Sequence, residues 1–196
     1  TLVMVPDVAE GQNREGDPDT LSRLGEELCL NIIAVDRLVV ETGKPVRSTS
    51  VREALSSGDL HPVHRQMGRN FSLVGTVVAG QGRGTSLGYP TANLQPNDNI
   101  LIPGDGIYAT WIYIGPDRHM AASSIGFRPT FGELDHTIES FVLDFEGDLY
   151  GKEIRLEFVS RLRNEMRFDS IDALKEQVSL DVNKTRSVLQ KDITTR

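Results

Sequence analysis

Residues 82–94 combine two kinds of group that nucleotide chemistry uses: the segment reads Gly-Arg-Gly-Thr-Ser-Leu-Gly-Tyr-Pro-Thr-Ala-Asn-Leu. Its glycines leave room for backbone N–H groups to approach a phosphate closely. Thr91 and Asn93 offer a hydroxyl and an amide carbonyl, two neutral oxygens that suit a hard cation such as Mg²⁺. Because both features lie in one short segment, it predicts a site for a phosphate-bearing ligand and a metal ion.

The same segment has a purely structural interpretation. Its glycines could shape a hairpin, and the Thr and Asn of a Pro-Thr-Ala-Asn turn often bind local backbone groups. It is not a Walker A loop, because no Gly-Lys-Ser/Thr follows, and no helix opens after it as a dinucleotide fingerprint requires. Taken alone, residues 82–94 leave a turn and a phosphate site both open.

Glu139 is the residue whose setting suits a general base. It lies in residues 137–145, Thr-Ile-Glu-Ser-Phe-Val-Leu-Asp-Phe, where strand alternation puts it in line with Phe141, Leu143 and Phe145. A carboxylate in such a row is unusual, since glutamates are mostly exposed. Glu139 is therefore either a strand-end residue that reaches solvent or a base at the mouth of a barrel, near a hydroxyl that loses its proton.

A mainly β domain is expected to hold these residues. Residues 71–168 contain alternating, valine-rich runs separated by Gly, Pro, Asn and Asp turns, which predicts a small closed Greek-key-type β-barrel of about six strands. Residues 1–70 place short apolar runs between helical stretches and predict a partial α/β segment. We therefore expect two domains, residues 1–70 and residues 71–196.

A C-terminal helix is predicted over residues 169–190, packed on the barrel. Asp169 or Ser170 supplies the side chain that caps its first turn. The charged loop before it, residues 161–168, could be no more than a solvated linker. The helix carries an apolar stripe of helical period, formed by Ile171, Leu174, Val178, Val182 and Leu189.

Composition narrows the class of protein. The chain has 196 residues, of which 38% are hydrophobic and 25% charged, as in soluble globular proteins, and no apolar run reaches transmembrane length. Its net charge of −7 disfavours nucleic-acid binding, because such surfaces are usually basic. The single cysteine, Cys29, favours a cytoplasmic location, and its apolar helical surroundings predict a buried thiol.

Taken in chain order, residues 71–190 resemble the riboflavin kinase domain, the C-terminal half of bacterial bifunctional riboflavin kinase/FMN adenylyltransferases (FAD synthetases). The resemblance rests on collinear motifs spread over about 120 residues, too many to coincide by chance. They are Gly-Arg-Gly at 82–84, Leu-Gly-Tyr-Pro-Thr-Ala-Asn-Leu at 87–94, Gly-Ile-Tyr-Ala at 106–109, Ile-Gly-Phe-Arg-Pro-Thr-Phe at 125–131, Glu139, Asp-Leu-Tyr-Gly at 148–151 and Leu-Arg-Asn-Glu at 162–165.

This resemblance implies a Mg²⁺-dependent transfer of the ATP γ-phosphoryl group to the 5′-hydroxyl of riboflavin, giving FMN and ADP. Thr91 and Asn93 would ligate Mg²⁺, and Glu139 would accept the hydroxyl proton. Small-molecule substrates are the partners that it implies, with no nucleic acid or membrane. The groups that would hold the phosphates are the backbone amides around Gly82, Arg83, Gly84, Thr85 and Ser86.

The flavin end of the site is also implied by the resemblance. It places Arg163, Glu165 and Phe168 beside the flavin ring. One departure is local, since the family commonly has histidine two residues after the glutamate, where this chain has Phe141. That difference affects a neighbouring contact and leaves Glu139 itself in place.

Residues 1–70 are similar to the end of the family's adenylyltransferase domain. Residues 46–52, Val-Arg-Ser-Thr-Ser-Val-Arg, are similar to its Ser-Ser-Thr-x-x-Arg phosphate-binding segment, with Arg47 in place of the first serine. The family's His-x-Gly-His motif is absent from the sequence, so we expect no FMN adenylyltransferase activity. The alternatives are a non-catalytic flavin- or nucleotide-binding module, a truncated FAD synthetase with an inactive adenylyltransferase half, and a nucleic-acid-binding barrel, which the acidic charge disfavours.

Overall fold

The chain forms two compact units, Thr1–Arg47 and Ser48–Arg196. The computed structural model describes residues 1–4, 18–36, 38–40, 43, 45–80, 82, 84, 88–97, 99–129 and 134–195. The helices formed by residues 48–67 belong to the second unit, because Leu55, Leu60 and Val63 are buried in the same core as the barrel strands. The division into compact units falls after Arg47. The domain boundary after residue 70, which was expected from the sequence, stays a prediction.

The first unit is a small α/β arrangement. It consists of β1 (Leu2–Met4), α1 (Pro18–Glu27) and β2 (Ile32–Ala34), and the two strands pair in parallel. Cys29, which was expected to be buried, is exposed just beyond α1, with a left-handed backbone at φ 54°. That prediction was wrong because α1 ends at Glu27, so its apolar face does not extend to the cysteine.

The second unit is a closed antiparallel barrel accompanied by helices. The elements are α2 (Ser48–Ser56), α3 (Leu60–Met67), β3 (Phe71–Val78), β4 (Thr91–Pro96), β5 (Gly106–Ile114), β6 (Asp117–Pro129), β7 (Leu134–Val142), β8 (Glu153–Arg163) and α4 (Ile171–Thr195). The barrel strands follow the order β3-β4-β7-β6-β5-β8, and β8 returns beside β5 after the β5-β6-β7 meander, which makes a Greek key. The predicted six-stranded barrel with a C-terminal helix is therefore confirmed.

Among the described residues, the barrel interior is mainly apolar and contains a chain of three hydroxyls. Thr110, Ser123 and Ser140 are fully buried on neighbouring strands, and each step from one hydroxyl oxygen to the next is 2.7 Å. These contacts satisfy groups that would otherwise be costly to bury. The large side chains around them are Leu73, Tyr108, Ile112, Ile125, Ile138, Leu156 and Phe158.

Helix α4 covers part of the outer surface of the barrel. Ser170 caps it, because its hydroxyl accepts a hydrogen bond from the Ala173 backbone N–H at 3.1 Å. Leu189 is fully buried against Trp111 and Leu162, whereas Ile171, the first residue of the predicted stripe, is 63% exposed. No helix in the described part of the chain has the length and apolar character that crossing a membrane requires.

Candidate functional site

The pairing of β4 with β7 brings three predicted site residues together. Asn93 lies directly opposite Glu139 in the antiparallel register. Thr91 lies two residues before Asn93, so both side chains are on the same face of β4. The Thr91 hydroxyl donates a hydrogen bond of 3.1 Å to the Glu139 carboxylate. Thr91 and Asn93 therefore form one cluster with Glu139, which lies 48 and 46 positions further along the sequence.

Glu139 lies on the outward face of β7. Its neighbours Ile138 and Ser140 point into the barrel and are almost completely buried, while Glu139 is half-buried outside. β7 ends at Val142, so Leu143 and Phe145 leave the alternation that the sequence suggested. Glu139 lines a cavity together with Leu174, Val178 and Val182 of α4. Its position at the mouth of the barrel, which one interpretation of the sequence suggested, stays a prediction.

One cavity, of about 260 Å³, opens on the glycine side of this cluster. We call it the glycine-side cavity. Gly80 lies so close to the Asn93 amide that a Cβ there would overlap it. Gly82 has φ 66°, a conformation that glycine adopts without strain. The described residues that line the glycine-side cavity are Val77–Gly80, Gly82, Pro90–Asn93, Val142, Phe145 and Gly147–Tyr150.

A second cavity, of about 310 Å³, opens on the α4 side, and we call it the helix-side cavity. Its walls are mainly apolar, as is usual in sites for small organic molecules. Tyr89 packs edge-on against Phe141, with ring centroids 5.2 Å apart. The helix-side cavity is lined by the apolar residues Phe141, Met166, Phe168, Leu174, Val178 and Val182, among others, and by the charged residues Glu139, Arg163, Glu165 and Asp181. Thr91 lines both cavities and so marks the wall that they share.

The end of β8 and the loop that follows it supply the three residues expected at the flavin end. Arg163, Glu165 and Phe168 all line the helix-side cavity. Partial burial raises the pKa of the Glu165 carboxyl above its ordinary range, and the negative charge of Asp105 adds to this effect. The Glu165 carboxylate lies over Gly126, where a Cβ would collide with it. Arg163 is already ion-paired with Asp181 at 2.7 Å, a partner that the sequence did not identify.

The predicted phosphate-binding loop is described only in part. Gly82 lines the glycine-side cavity and Gly84 the helix-side cavity, whereas Arg83, Thr85 and Ser86 lie outside the described residues. Asp181 was not singled out from the sequence. For Asp181 a signal was present, because an aspartate stands between Val178 and Leu189 on the buried side of an amphipathic helix.

The cluster of Thr91, Asn93 and Glu139 offers the ligands that a hard divalent cation such as Mg²⁺ prefers. All three side chains offer only oxygen donors. Among the described residues no group of three His, Cys, Asp or Glu side chains is placed to hold a metal ion. Mg²⁺ commonly takes one or two protein ligands and completes its shell with water and substrate phosphates. The donor set therefore suits a cation that binds together with a nucleotide.

Comparison with known proteins identifies the family. The model of the family described as "Flavokinase: Riboflavin kinase" matches residues 67–189. The bifunctional riboflavin kinase/FMN adenylyltransferase of Listeria monocytogenes is 30% identical over 94% of this chain and 59% of its own length. The protein of the same description from Pseudomonas fluorescens is 35% identical over 91% of this chain and 57% of its own.

A solved structure is also similar over most of the chain. It is described as a macrolide-efflux protein from Streptococcus pneumoniae, with a TM-score of 0.82 and 30% identity, and the match covers 93% of this chain and 58% of that one. The chain thus spans a little under three fifths of the length of these relatives. Because the family match takes in the whole barrel and most of α4, this chain belongs to the riboflavin kinase family.

Proposed function

We propose that this chain is a riboflavin kinase, which transfers the γ-phosphoryl group of ATP to the 5′-hydroxyl of riboflavin and releases FMN and ADP. The observation that carries the proposal is the position of the Thr91–Glu139 pair at the wall shared by two cavities. Phosphoryl transfer depends chiefly on bringing donor and acceptor into line and on neutralising charge. Glu139 lines the helix-side cavity and is hydrogen-bonded to Thr91, which lines both cavities, so the pair lies where donor and acceptor could be brought into line.

ATP would occupy the glycine-side cavity. Gly80 keeps the backbone close to Asn93, and Gly82, which lines the same cavity, leaves open space for phosphate oxygens. Thr91 and Asn93 would hold Mg²⁺, which when bound neutralises charge on the phosphates. The described walls of this cavity contain no lysine or arginine, so such a cation would be the main source of positive charge there.

Riboflavin would occupy the helix-side cavity. Phe141, Met166 and Phe168 offer apolar surface to a flat aromatic ring system, and the volume of about 310 Å³ is within the usual range for small-molecule sites. Glu165 adds a polar group at this wall. The ribityl chain would extend from the ring toward Thr91, where the two cavities meet.

Glu139 would act as the general base. Its carboxylate would accept the proton of the 5′-hydroxyl while the hydroxyl oxygen forms a bond to the γ-phosphorus and the bond to the β-phosphate oxygen breaks. The hydrogen bond from Thr91 holds the carboxylate at the shared wall. Such positioned bases typically contribute about 10² to 10⁴ in rate. Because this reaction uses ATP, we also propose a cytoplasmic location.

A single assay tests the proposed function. The purified chain is incubated with ATP, Mg²⁺ and riboflavin, and the flavins are separated by chromatography. We expect FMN that depends on Mg²⁺, and no FAD, because the His-x-Gly-His motif of the adenylyltransferases is absent. If riboflavin binds but no FMN forms, the chain is a binding module and the proposal is wrong. Formation of FAD would support the second activity of the bifunctional relatives.

A further inference from the structure

We propose that Asp181 is a positioning residue for the helix-side cavity, which holds Arg163 and through it the loop of residues 164–168. Asp181 lies in the middle of α4 and is only 6% exposed. A carboxylate is rarely buried unless it is paired. The assignment to riboflavin binding rests on the proposed function, but the structural role does not.

Asp181 is bound from two directions. Arg163 donates to its carboxylate through Nε at 3.0 and 3.1 Å and through Nη2 at 2.7 Å. Gln177, one helical turn earlier on α4, donates to the same carboxylate at 3.0 Å. Bidentate contacts of this kind fix the plane of a guanidinium group as well as its position. The orientation of Arg163 is therefore set by α4.

Arg163 in turn contacts both ends of the loop that follows it. Its Nη1 donates to the backbone oxygen of Asn164 at 2.8 Å. Its guanidinium carbon lies 6.0 Å from the centre of the Phe168 ring, at the outer limit of a cation–π contact. Glu165 and Met166, between these two points, line the helix-side cavity. One planar group thus ties the loop to the barrel and to the helix.

The effect of Asp181 is expected to be confined to one substrate. No residue of the loop or of α4 is among the described residues that line the glycine-side cavity. Loss of the Asp181 charge should loosen the wall that faces riboflavin and leave the ATP side unchanged. A residue with only a general structural role would affect both substrates through the stability of the barrel.

The decisive variant is Asp181→Asn, which keeps the shape and removes the charge. We expect the KM for riboflavin to rise about tenfold or more, with kcat and the KM for ATP changed less than about threefold. Asp192→Asn is the matched control, because Asp192 also lies on α4 and accepts a hydrogen bond of 2.9 Å from Trp111, yet lines neither cavity. Equal rises in both KM values would overturn the assignment.

Two further variants test whether Asp181 acts through Arg163. The double variant Asp181→Asn with Arg163→Ala should bind riboflavin no worse than Arg163→Ala alone, since the carboxylate has then lost its partner. Additive losses would contradict the inference. Gln177→Ala removes one of the contacts to Asp181 without leaving a buried charge unpaired. If Asp181→Asn does not fold, Gln177→Ala replaces it in the assay. We then expect a smaller rise in KM, for riboflavin and not for ATP.

Amide hydrogen exchange separates failure of this inference from failure of the proposed function. If the wild-type chain forms no FMN, the kinase assignment is wrong, but exchange in the absence of ligands still tests the positioning role. Residues 164–168 should exchange faster in Asp181→Asn than in the wild-type chain, while residues 91–94 stay unchanged. Unchanged exchange in the loop would show that Asp181 does not hold it.

Discussion

Thr91 and Glu139 are joined by a hydrogen bond of 3.1 Å between strands β4 and β7. The bond links the residue proposed to hold Mg²⁺ with the residue proposed to accept the proton. Because Thr91 lines both cavities, the pair lies where donor and acceptor substrates would meet. A change at either residue should therefore affect the reaction itself more than the barrel.

Glu139→Gln should reduce kcat by about 10² to 10⁴, because the amide keeps the shape of the side chain but cannot accept the proton. ATP binding, measured by calorimetric titration with Mg²⁺, should stay within about threefold of the wild-type value. Glu153→Gln, the same change at an exposed position on β8, is the control and should leave turnover unchanged. A near-normal rate for Glu139→Gln would rule out the role as base.

Thr91→Ala combined with Asn93→Ala should abolish Mg²⁺-dependent ATP binding, because both protein oxygens proposed for the cation are removed. The measurement is an ATP titration with and without Mg²⁺. Gln95→Ala changes the next outward residue on β4, which is exposed and lines neither cavity, and should bind ATP normally. An unchanged titration for the double variant would contradict the assignment of the metal ligands.

Gly80→Ala and Gly126→Ala should produce opposite selectivities. A Cβ at Gly80 would displace the Asn93 amide, so this variant should raise the KM for ATP. A Cβ at Gly126 would displace the Glu165 carboxylate, so that variant should raise the KM for riboflavin. Each is the control for the other in steady-state assays. If both variants weakened both substrates to the same extent, general damage to the barrel would explain the result.

Glu165→Gln should change how stability depends on pH. Partial burial first, and then Asp105, raise the pKa of Glu165 in the folded state, so the folded chain holds its proton more tightly than the unfolded chain. The stability that the protonated Glu165 carboxyl contributes is therefore present at low pH, and it is lost as pH rises through the raised pKa.

The measurement is urea unfolding at several pH values across the acidic range. The glutamine variant should gain stability relative to the wild-type chain as pH increases from below the ordinary glutamate range to above the raised pKa. Parallel stability curves for the two proteins would show that the environment of Glu165 does not oppose its ionisation.

Local patterns were sufficient to predict the barrel and the cap of α4. Strand alternation and turn residues act over a few positions, so β3, β5, β7 and β8 could be anticipated from short windows, whereas β4 and β6 were not predicted individually. Ser170 was one of two predicted caps because capping also depends on neighbouring residues alone. The buried thiol was predicted wrongly, since the exact end of α1 was not visible in the pattern.

The sequence by itself determined that a glycine-rich segment, two neutral oxygens and one carboxylate are present in a small β-barrel chain. Only the tertiary structure decided that Asn93 stands opposite Glu139 and that β7 turns Ser140 inward and Glu139 outward. Alternation defines two faces of a strand but not which one is buried, because that depends on the register with other strands. The burial of Asp181 was decided in the same way, since a buried charge requires a partner, here Arg163, that only folding brings within reach.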